Sequence, residues 1–284
     1  MTWRTKAALL GSLIAGPVFA QHVRTLESAR LLRDSTPVSV RLQLGTGSLT
    51  VGASDAPYLY RSITRFGDQF AAPTSVWNAT QHALTLTAGE RSASAASSRV
   101  DDQDDESEQD WRVQLTRRAP LELTIAATAA NATLDLTGLP LRRFALSTGA
   151  AAAVVRFDAP NPESMSVFDA TVGAGGLKVV GLGNSGSSEA RIEGNVGEIA
   201  LDLGGRWQRD LQLSVTSAIG GITITAPPTI GIELESIGML SRVSVDGPFT
   251  RDGRLWRSTN FSTAAVKVRI VTSSIIGKVS LIQR

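Results

Sequence analysis

The stretch Ala170–Gly186, ATVGAGGLKVVGLGNSG, contains six glycines in seventeen residues and allows two structural interpretations. A glycine-rich loop that binds a phosphate must be followed by a helix, whose N-terminus faces the phosphate. Here the glycines are followed by LKVV, which alternates and contains β-branched residues, so a strand is predicted instead. We therefore interpret the glycines as a corner between two short strands and expect no phosphate-containing cofactor.

Strand–corner–strand units of this kind recur on both sides of Ala170–Gly186. Seven short alternating segments, such as GLKVVGL, each carry an outward polar residue, and another alternating segment precedes most of them. The seven polar residues are Asp135, Arg156, Lys178, Asp202, Thr223, Ser244 and Ser280. Their spacings are 21, 22, 24, 21, 21 and 36 residues, and the last interval contains an insertion at residues 247–261. The predicted corners lie at Gly149, Gly173, Gly197, Gly220, Gly238 and Gly277.

A repeat that consists only of strands and corners is typical of a β-solenoid. We predict an all-β fold, a parallel β-solenoid, with a β-sandwich as the alternative. A sandwich needs hairpin turns, yet Asp-Gly pairs occur only at Asp246-Gly247 and Asp252-Gly253. In a solenoid, equivalent residues of successive coils form columns. The first four polar residues are thus expected to form an exposed charge ladder that adds little stability.

The first twenty residues are typical of a secretory signal peptide. Arg4 and Lys6 precede the apolar stretch AALLGSLIAGPVFA, and Val18 and Ala20 fit the small-x-small cleavage pattern before Gln21. The alternative is an uncleaved membrane anchor. No later apolar run reaches the length of a membrane helix. We expect an exported protein in the periplasm, on the outer surface or outside the cell.

Four regions follow from these patterns. Residues 1–20 are the signal peptide, 21–89 an N-terminal β segment, 90–110 a flexible acidic loop and 111–284 the solenoid. The loop ends in DDQDDESEQD at 101–110, which holds seven carboxylates in ten residues. It lacks the glycine of an EF-hand loop, so we expect a solvated segment and no metal site, with weak cation attraction as the alternative.

The composition excludes several classes of function. The chain has no cysteine, which removes thiol nucleophiles and cysteine-ligated zinc. It has 28 basic and 26 acidic residues, and cleavage after Ala20 removes two basic ones, which leaves 26 of each. A formal net charge of zero argues against a nucleic-acid-binding protein.

No catalytic residues are expected from the motifs. The turn GNSGS at 183–187 resembles a serine nucleophile site, but only His22 and His82 could serve as its base. Asp135 and Asp202, each in an LDL triplet, would lie about 14 Å apart across three coils, too far for a glycosidase pair. The basic residues between them would lower both pKa values, whereas a general acid needs a raised one.

Two tryptophan–arginine pairs are the candidate partner-binding residues. Trp207 lies beside Arg206 and Trp256 beside Arg257, in a predicted turn and in the insertion. Such pairs can stack on a sugar or on a partner side chain. The alternative is a loop tryptophan that folds back over the edge of the solenoid.

The chain also shows an ordered set of segments: LQLGTGSLTV, LDLTGL, LSTGA, GLGN and VGEIALDLGG. From Val38 to the C-terminus it resembles the toast-rack family of bacterial envelope proteins, a group with LiaF-like cell-wall stress-response proteins and adhesin-like β-solenoids. The resemblance implies a right-handed β-solenoid with an N-terminal β segment, and it brings no catalytic residues. Some relatives signal envelope stress through membrane helices, which this chain lacks after its signal peptide.

We therefore expect a non-catalytic structural or binding module of the envelope or cell surface, without a cofactor. Its partner would be an envelope or surface protein or a cell-wall polymer. An extracytoplasmic stress sensor and a polysaccharide-active β-helix enzyme are the alternatives, and the enzyme would need a cluster of carboxylates in a groove. Because GKVSLIQR at 277–284 ends the chain without a polar cap, self-association through the C-terminal coil is also expected.

Overall fold

The computed structural model describes residues 23–92 and 109–284. Within these ranges the chain is all β, apart from one 3-10 turn at Leu182–Ser185. The strands are β1 Arg24–Leu31, β2 Val38–Ser54, β3 Tyr58–Phe66, β4 Thr74–Asn78, β5 Ala83–Ala88, β6 Asp110–Thr116, β7 Leu121–Asp135, β8 Leu141–Ala150, β9 Ala153–Arg156, β10 Val167–Ala174, β11 Leu177–Val180, β12 Glu189–Val196, β13 Ile199–Asp202, β14 Leu211–Ala226, β15 Gly231–Asp246, β16 Phe249–Asp252, β17 Leu255–Ser258 and β18 Lys267–Gln283.

Successive coils stack as parallel strands, as the repeat predicts. β10 pairs in parallel with β8 on one side and β12 on the other, while β11 lies in the same way between β9 and β13. A β-sandwich would pair neighbouring strands as antiparallel hairpins, so the solenoid-like arrangement is the correct one of the two alternatives. Right-handed winding stays a prediction.

Apolar side chains form the core because alternate residues of each strand point inward. One column runs through five successive coils and is fully buried. Phe144 lies opposite Phe168, with ring centroids 5.1 Å apart, and Phe168 lies opposite Ala190. Leu213 and Ile270 continue the same column. Phe144 and Phe168 are bulky, and the small side chain of Ala190 in the next coil leaves room for their rings in the close-packed core.

The N-terminal segment continues the stack. β2 pairs in parallel with β7 on one side and with β5 and β6 on the other. Antiparallel strands β1, β3 and β4 complete this end through the pairs β1–β3, β3–β6 and β4–β5. The division into 21–89, 90–110 and 111–284 stays a prediction. The signal peptide and almost all of the acidic loop lie outside the described residues.

The order of the last coils differs from the order in the chain. The C-terminal strand β18 lies between β14 and β15, in parallel with both. The expected open end at the C-terminal coil is therefore wrong, and β15 is the outermost strand of the stack. The outer position leaves part of β15 less buried: Val279 and Leu281 of β18 are buried, whereas Val243 and Val245, opposite them in β15, are only half buried.

The charge ladder forms only at its first step. Asp135 lies opposite Arg156, as predicted, but Arg156 then lies opposite Val180. Lys178 lies opposite Val154 and Ala200, two positions away from the predicted column. Outward positions accept apolar as well as polar side chains, so the polar residue of each repeat does not mark the register. Arg156 forms its ion pair with Asp158, two residues along the chain, at 3.5 Å.

The stretch Ala170–Gly186 folds as a strand, a corner and a second strand, as expected. At the corner, Gly175, Gly197, Gly220 and Gly277 of successive coils lie one above the other, and we call this set the corner column. These positions are glycine because the backbones of neighbouring coils approach closely there. A Cβ on Gly197 would lie 1.7 Å from the carbonyl oxygen of Gly175, and one on Gly220 would lie 1.7 Å from that of Gly197. In β15 the equivalent corner residue is Ser241, which pairs with Gly277. The corner predicted at Gly238 is thus three residues too early, and those predicted at Gly149 and Gly173, which lie inside β8 and β10, are two residues too early.

Candidate functional site: the terminal groove and the open edge

The outermost coil exposes a strand edge. β17 pairs with β15 only at Glu233–Glu235, in antiparallel register, and β18 covers the other side of β15 along its whole length. From Ser236 to Asp246, the outer side of β15 therefore has no strand partner among residues 23–92 and 109–284. We call this segment the open edge. Unpaired N–H and C=O groups on such an edge are a template for another strand.

A groove of about 400 Å³ lies between the open edge and the β16–β17 hairpin. The hairpin is tight: Asp252 pairs with Leu255, and Gly253 adopts φ 58° at the turn. Asp252-Gly253 is one of the two Asp-Gly pairs in the sequence that are typical of hairpin turns. We call this concavity the terminal groove. Its lining residues are Ser236, Ser241, Arg242 and Val243 of β15 and Arg251, Arg254 and Trp256 of the hairpin.

The terminal groove is strongly cationic. Arg242, Arg251 and Arg254 are exposed, and none of them forms an ion pair with an acid in the described part of the chain. The neighbouring Arg257 contrasts with them, because its guanidinium binds the Glu233 carboxylate at 2.5 Å. Three guanidinium groups thus face solvent around one concave surface.

Trp256 forms the apolar wall of the groove. It is half buried, packs against the core and lies opposite Arg251, whose guanidinium carbon is 5.1 Å from the indole centroid. Arg251 also donates from Nε to the carbonyl oxygen of Gly253 at 2.9 Å, which holds its side chain over the ring. An anionic or planar ligand in the groove would meet positive charge and an aromatic surface together.

The four predicted partner-binding residues fall into two separate pairs. Trp256 lines the groove, and Arg257 beside it is occupied by Glu233. Trp207 lies elsewhere, on the loop after β13, where its indole N–H donates to the carbonyl oxygen of Leu203 at 2.9 Å. Its ring packs so closely on Gly183 that a Cβ there would lie 2.6 Å from the indole nitrogen. Trp207 is thus a tryptophan folded back onto the stack.

Arg206 belongs to the same loop as Trp207. Its backbone N–H donates to Oδ1 of Asn184 at 2.7 Å, while its side chain is exposed. Arg242, Arg251 and Arg254 were not predicted as site residues. A sequence signal exists for two of them, because RDGR places an arginine on each side of the Asp-Gly pair. For Arg242 there is none, since its role depends on β15 being the outermost strand.

The carboxylates weighed as catalytic residues have local structural roles. Asp135 accepts from the backbone N–H of Thr137 at 3.1 Å, and Asp202 accepts from that of Gly204 at 2.8 Å. Both are turns in which an aspartate bonds its own backbone two residues on. Ser185 and Ser187 of the GNSGS turn are buried and hydrogen-bonded to each other at 2.9 Å.

In the described ranges no group of three or more histidine, cysteine, aspartate or glutamate side chains is placed to hold a metal ion. None of the described helices has the length and apolar character to span a membrane.

The outer corner of the last coils carries a column of exposed apolar residues. Val196 lies opposite Ile219, Ile219 opposite Ile276, and Ile276 opposite Leu240, which is 73% exposed. The same column continues in the earlier coils as Ala174 and Ala150. Alanine therefore satisfies the fold at this position, and the larger side chains near the open edge are not required by coil packing.

Two solved structures and one family model are similar to this chain. One solved structure, described as a candidate cell adhesion protein from Clostridium sporogenes ATCC 15579, is 12% identical, covers 92% of this chain and 100% of its own, and has a TM-score of 0.43. A second, a candidate adhesin from Bacteroides fragilis NCTC 9343, is 8% identical, covers 92% and 98%, and has a TM-score of 0.39. No curated protein matches the chain. The family described as the N-terminal domain of toast_rack, DUF2154, matches residues 21–180. The chain therefore belongs to the toast-rack family, as its ordered segments indicated.

Proposed function

We propose that this chain is an exported, non-catalytic binding module of the bacterial envelope or cell surface, and that its ligand surface is the terminal groove. The observation that carries the proposal is the arrangement of Arg242, Arg251 and Arg254 around Trp256, without acidic partners in the described part of the molecule. Export rests on residues 1–20, and right-handed winding on the family resemblance.

The chemistry of the groove suits binding of an anion. A guanidinium presents several N–H donors in one plane and forms paired hydrogen bonds with a carboxylate or phosphate. Trp256, with Arg251 held over its ring, adds an aromatic wall beside the guanidinium groups, against which a sugar ring or a planar group can pack. The lining contains serine hydroxyls but no carboxylate or histidine, which are the usual groups for acid–base chemistry. These residues favour a binding role over the polysaccharide-active enzyme.

The experiment measures binding of two acidic polymers to the purified chain. Poly-L-glutamate represents an acidic polypeptide and polygalacturonate an acidic polysaccharide, and both are titrated by calorimetry at low ionic strength and at about 0.15 M salt. We expect the double variant Arg251→Glu/Arg254→Glu to weaken binding at least tenfold, which corresponds to about 1.4 kcal/mol. Both side chains are exposed, so the variant should stay folded, with only a small fall in melting temperature from the lost Arg251 contacts with Trp256 and Gly253.

Arg143→Glu is the matched control. Arg143 is an exposed arginine of β8, remote from the groove in the stacking order, and it too has no ion pair in the described part of the chain. If binding came from overall charge, Arg143→Glu would weaken it by about half as much as the double variant, since it changes half the charge. That result, or no binding of either polymer at about 0.15 M salt, would exclude the groove as a specific site.

A further inference from the structure

The open edge contains a self-complementary sequence. Its last five residues, Arg242–Asp246, read RVSVD, with opposite charges at the two ends, serine in the centre and valine on each side of it. Arg242, Ser244 and Asp246 are exposed, whereas Val243 and Val245 are half buried against the core. The segment therefore reads alike in both directions, except that its terminal charges have opposite sign.

Antiparallel pairing of this segment with itself matches every position. About a two-fold axis at Ser244, Arg242 lies opposite the Asp246 of the other copy, and this pair occurs twice. Val243 lies opposite Val245 of the other copy on the inward face, so that the valine column gains a further layer. We propose that a second copy of this chain docks on the open edge through Arg242–Asp246 in this register.

The surroundings of Arg242 favour this occupant. On the side of the stack, Arg242 lies opposite Lys278 of β18, so two cations occupy adjacent positions of one column. Neither Arg242 nor Asp246 forms an ion pair within the described ranges. A carboxylate from the second copy would stand beside Arg242, on the side away from Lys278, and would partly neutralise the charge that Lys278 faces.

The hairpin limits the pairing to this segment. β17 already covers Glu233–Glu235, so a second strand cannot follow β15 along its full length. From Arg242 onward no described strand lies on the outer side. A two-fold arrangement closes after two copies because it uses the same edge of each, whereas a parallel addition would leave another edge free and extend into a filament.

The test is a charge exchange read by oligomeric state, using sedimentation velocity and light scattering over a concentration series. We expect wild type to dimerise reversibly. Arg242→Asp places two aspartates opposite each other, and Asp246→Arg places two arginines, so each variant alone should dimerise at least tenfold more weakly. An equimolar mixture of the two variants restores both opposite-charge pairs and should form the heterodimer. The double variant Arg242→Asp/Asp246→Arg should form a homodimer again.

Recovery in the mixture shows that both single variants are folded, and Arg143→Asp controls for net charge with an expected wild-type dimer. Three results would overturn the proposal: a monomeric wild type at every concentration, single variants that dimerise as well as wild type, or a mixture that stays monomeric. The inference does not rest on the ligand of the terminal groove. Arg242 and Val243 also line the terminal groove, so a docked copy and a groove ligand would compete for this surface. The groove is tested at Arg251 and Arg254 and the edge by the exchange of Arg242 and Asp246, so failure of one proposal is distinguished from failure of the other.

Discussion

Replacing Gly220 by alanine tests whether the corner column sets the spacing of the coils. Gly220 adopts φ 146°, and an added Cβ would lie 1.7 Å from the carbonyl oxygen of Gly197 in the preceding coil. A non-glycine residue in that backbone region costs about 1–3 kcal/mol. Relief of the clash requires the two coils to separate locally, and forced displacement in a packed region adds about 1–3 kcal/mol. We expect the free energy of unfolding to fall by about 3 kcal/mol or more.

The measurement is urea unfolding followed by circular dichroism, with thermal melting alongside. For a chain of this size, a loss of 3 kcal/mol lowers the melting temperature by about 6–12 °C. Gly52→Ala is the control, because Gly52 lies in β2 at an ordinary φ and an added Cβ there would meet no atom within 4 Å. It should stay within about 0.5 kcal/mol of wild type. Equal stability of the two variants would refute the account of the corner column.

Three further predictions concern the core, the corner and an ion pair. Phe168→Ala removes a buried ring from the central column and should cost about 3–5 kcal/mol, by denaturant unfolding. Ile219→Ala and Ile276→Ala should each change stability by less than about 0.5 kcal/mol, because alanine occupies the same column in two earlier coils; a larger loss would show that the corner is packed. The hydrogen bond from Arg61 lowers the pKa of Glu27, so Arg61→Ala should raise that pKa toward its ordinary value in an NMR titration.

Because the pKa of Glu27 is lowered in the folded chain, the sign of its effect on stability as the pH changes can be stated. A carboxyl whose folded-state pKa is lowered stabilises the fold above its unfolded pKa and loses this contribution as the pH falls through the folded value. The contribution of the Arg61–Glu27 pair should therefore vanish on acidification. Because the pair is exposed, salt should weaken it as well. A Glu27 pKa that does not move in Arg61→Ala would show that the pair does not persist in solution.

Local sequence patterns predicted the strands well. Alternation located both strands of each repeat, and the glycines of Ala170–Gly186 were correctly interpreted as a corner. The family followed from short ordered segments such as LQLGTGSLTV and LDLTGL, which lie within the matched residues 21–180. Trp256 was singled out from its place in the insertion, and the structure puts it in the groove wall.

The charge register failed for a physical reason. A shift of two residues leaves every side chain on its own face of the strand, since the strand period is two. The alternating pattern therefore cannot distinguish Lys178 opposite Arg156 from Lys178 opposite Val154, which is the observed pair. The length of the loop between β9 and β10 sets the register of β11 against β9. The outward positions do not favour either register, because they accept polar and apolar side chains alike.

The amino-acid sequence by itself determined which segments are strands and which residues face inward. These properties depend on neighbours within a few residues. Only the tertiary structure decided that β18 enters between β14 and β15, because every coil presents the same alternating face and any of them can pair with any other. That choice leaves β15 outermost, opens the edge at Arg242–Asp246 and brings the hairpin arginines beside it. Both proposed interaction surfaces follow from this one long-range pairing.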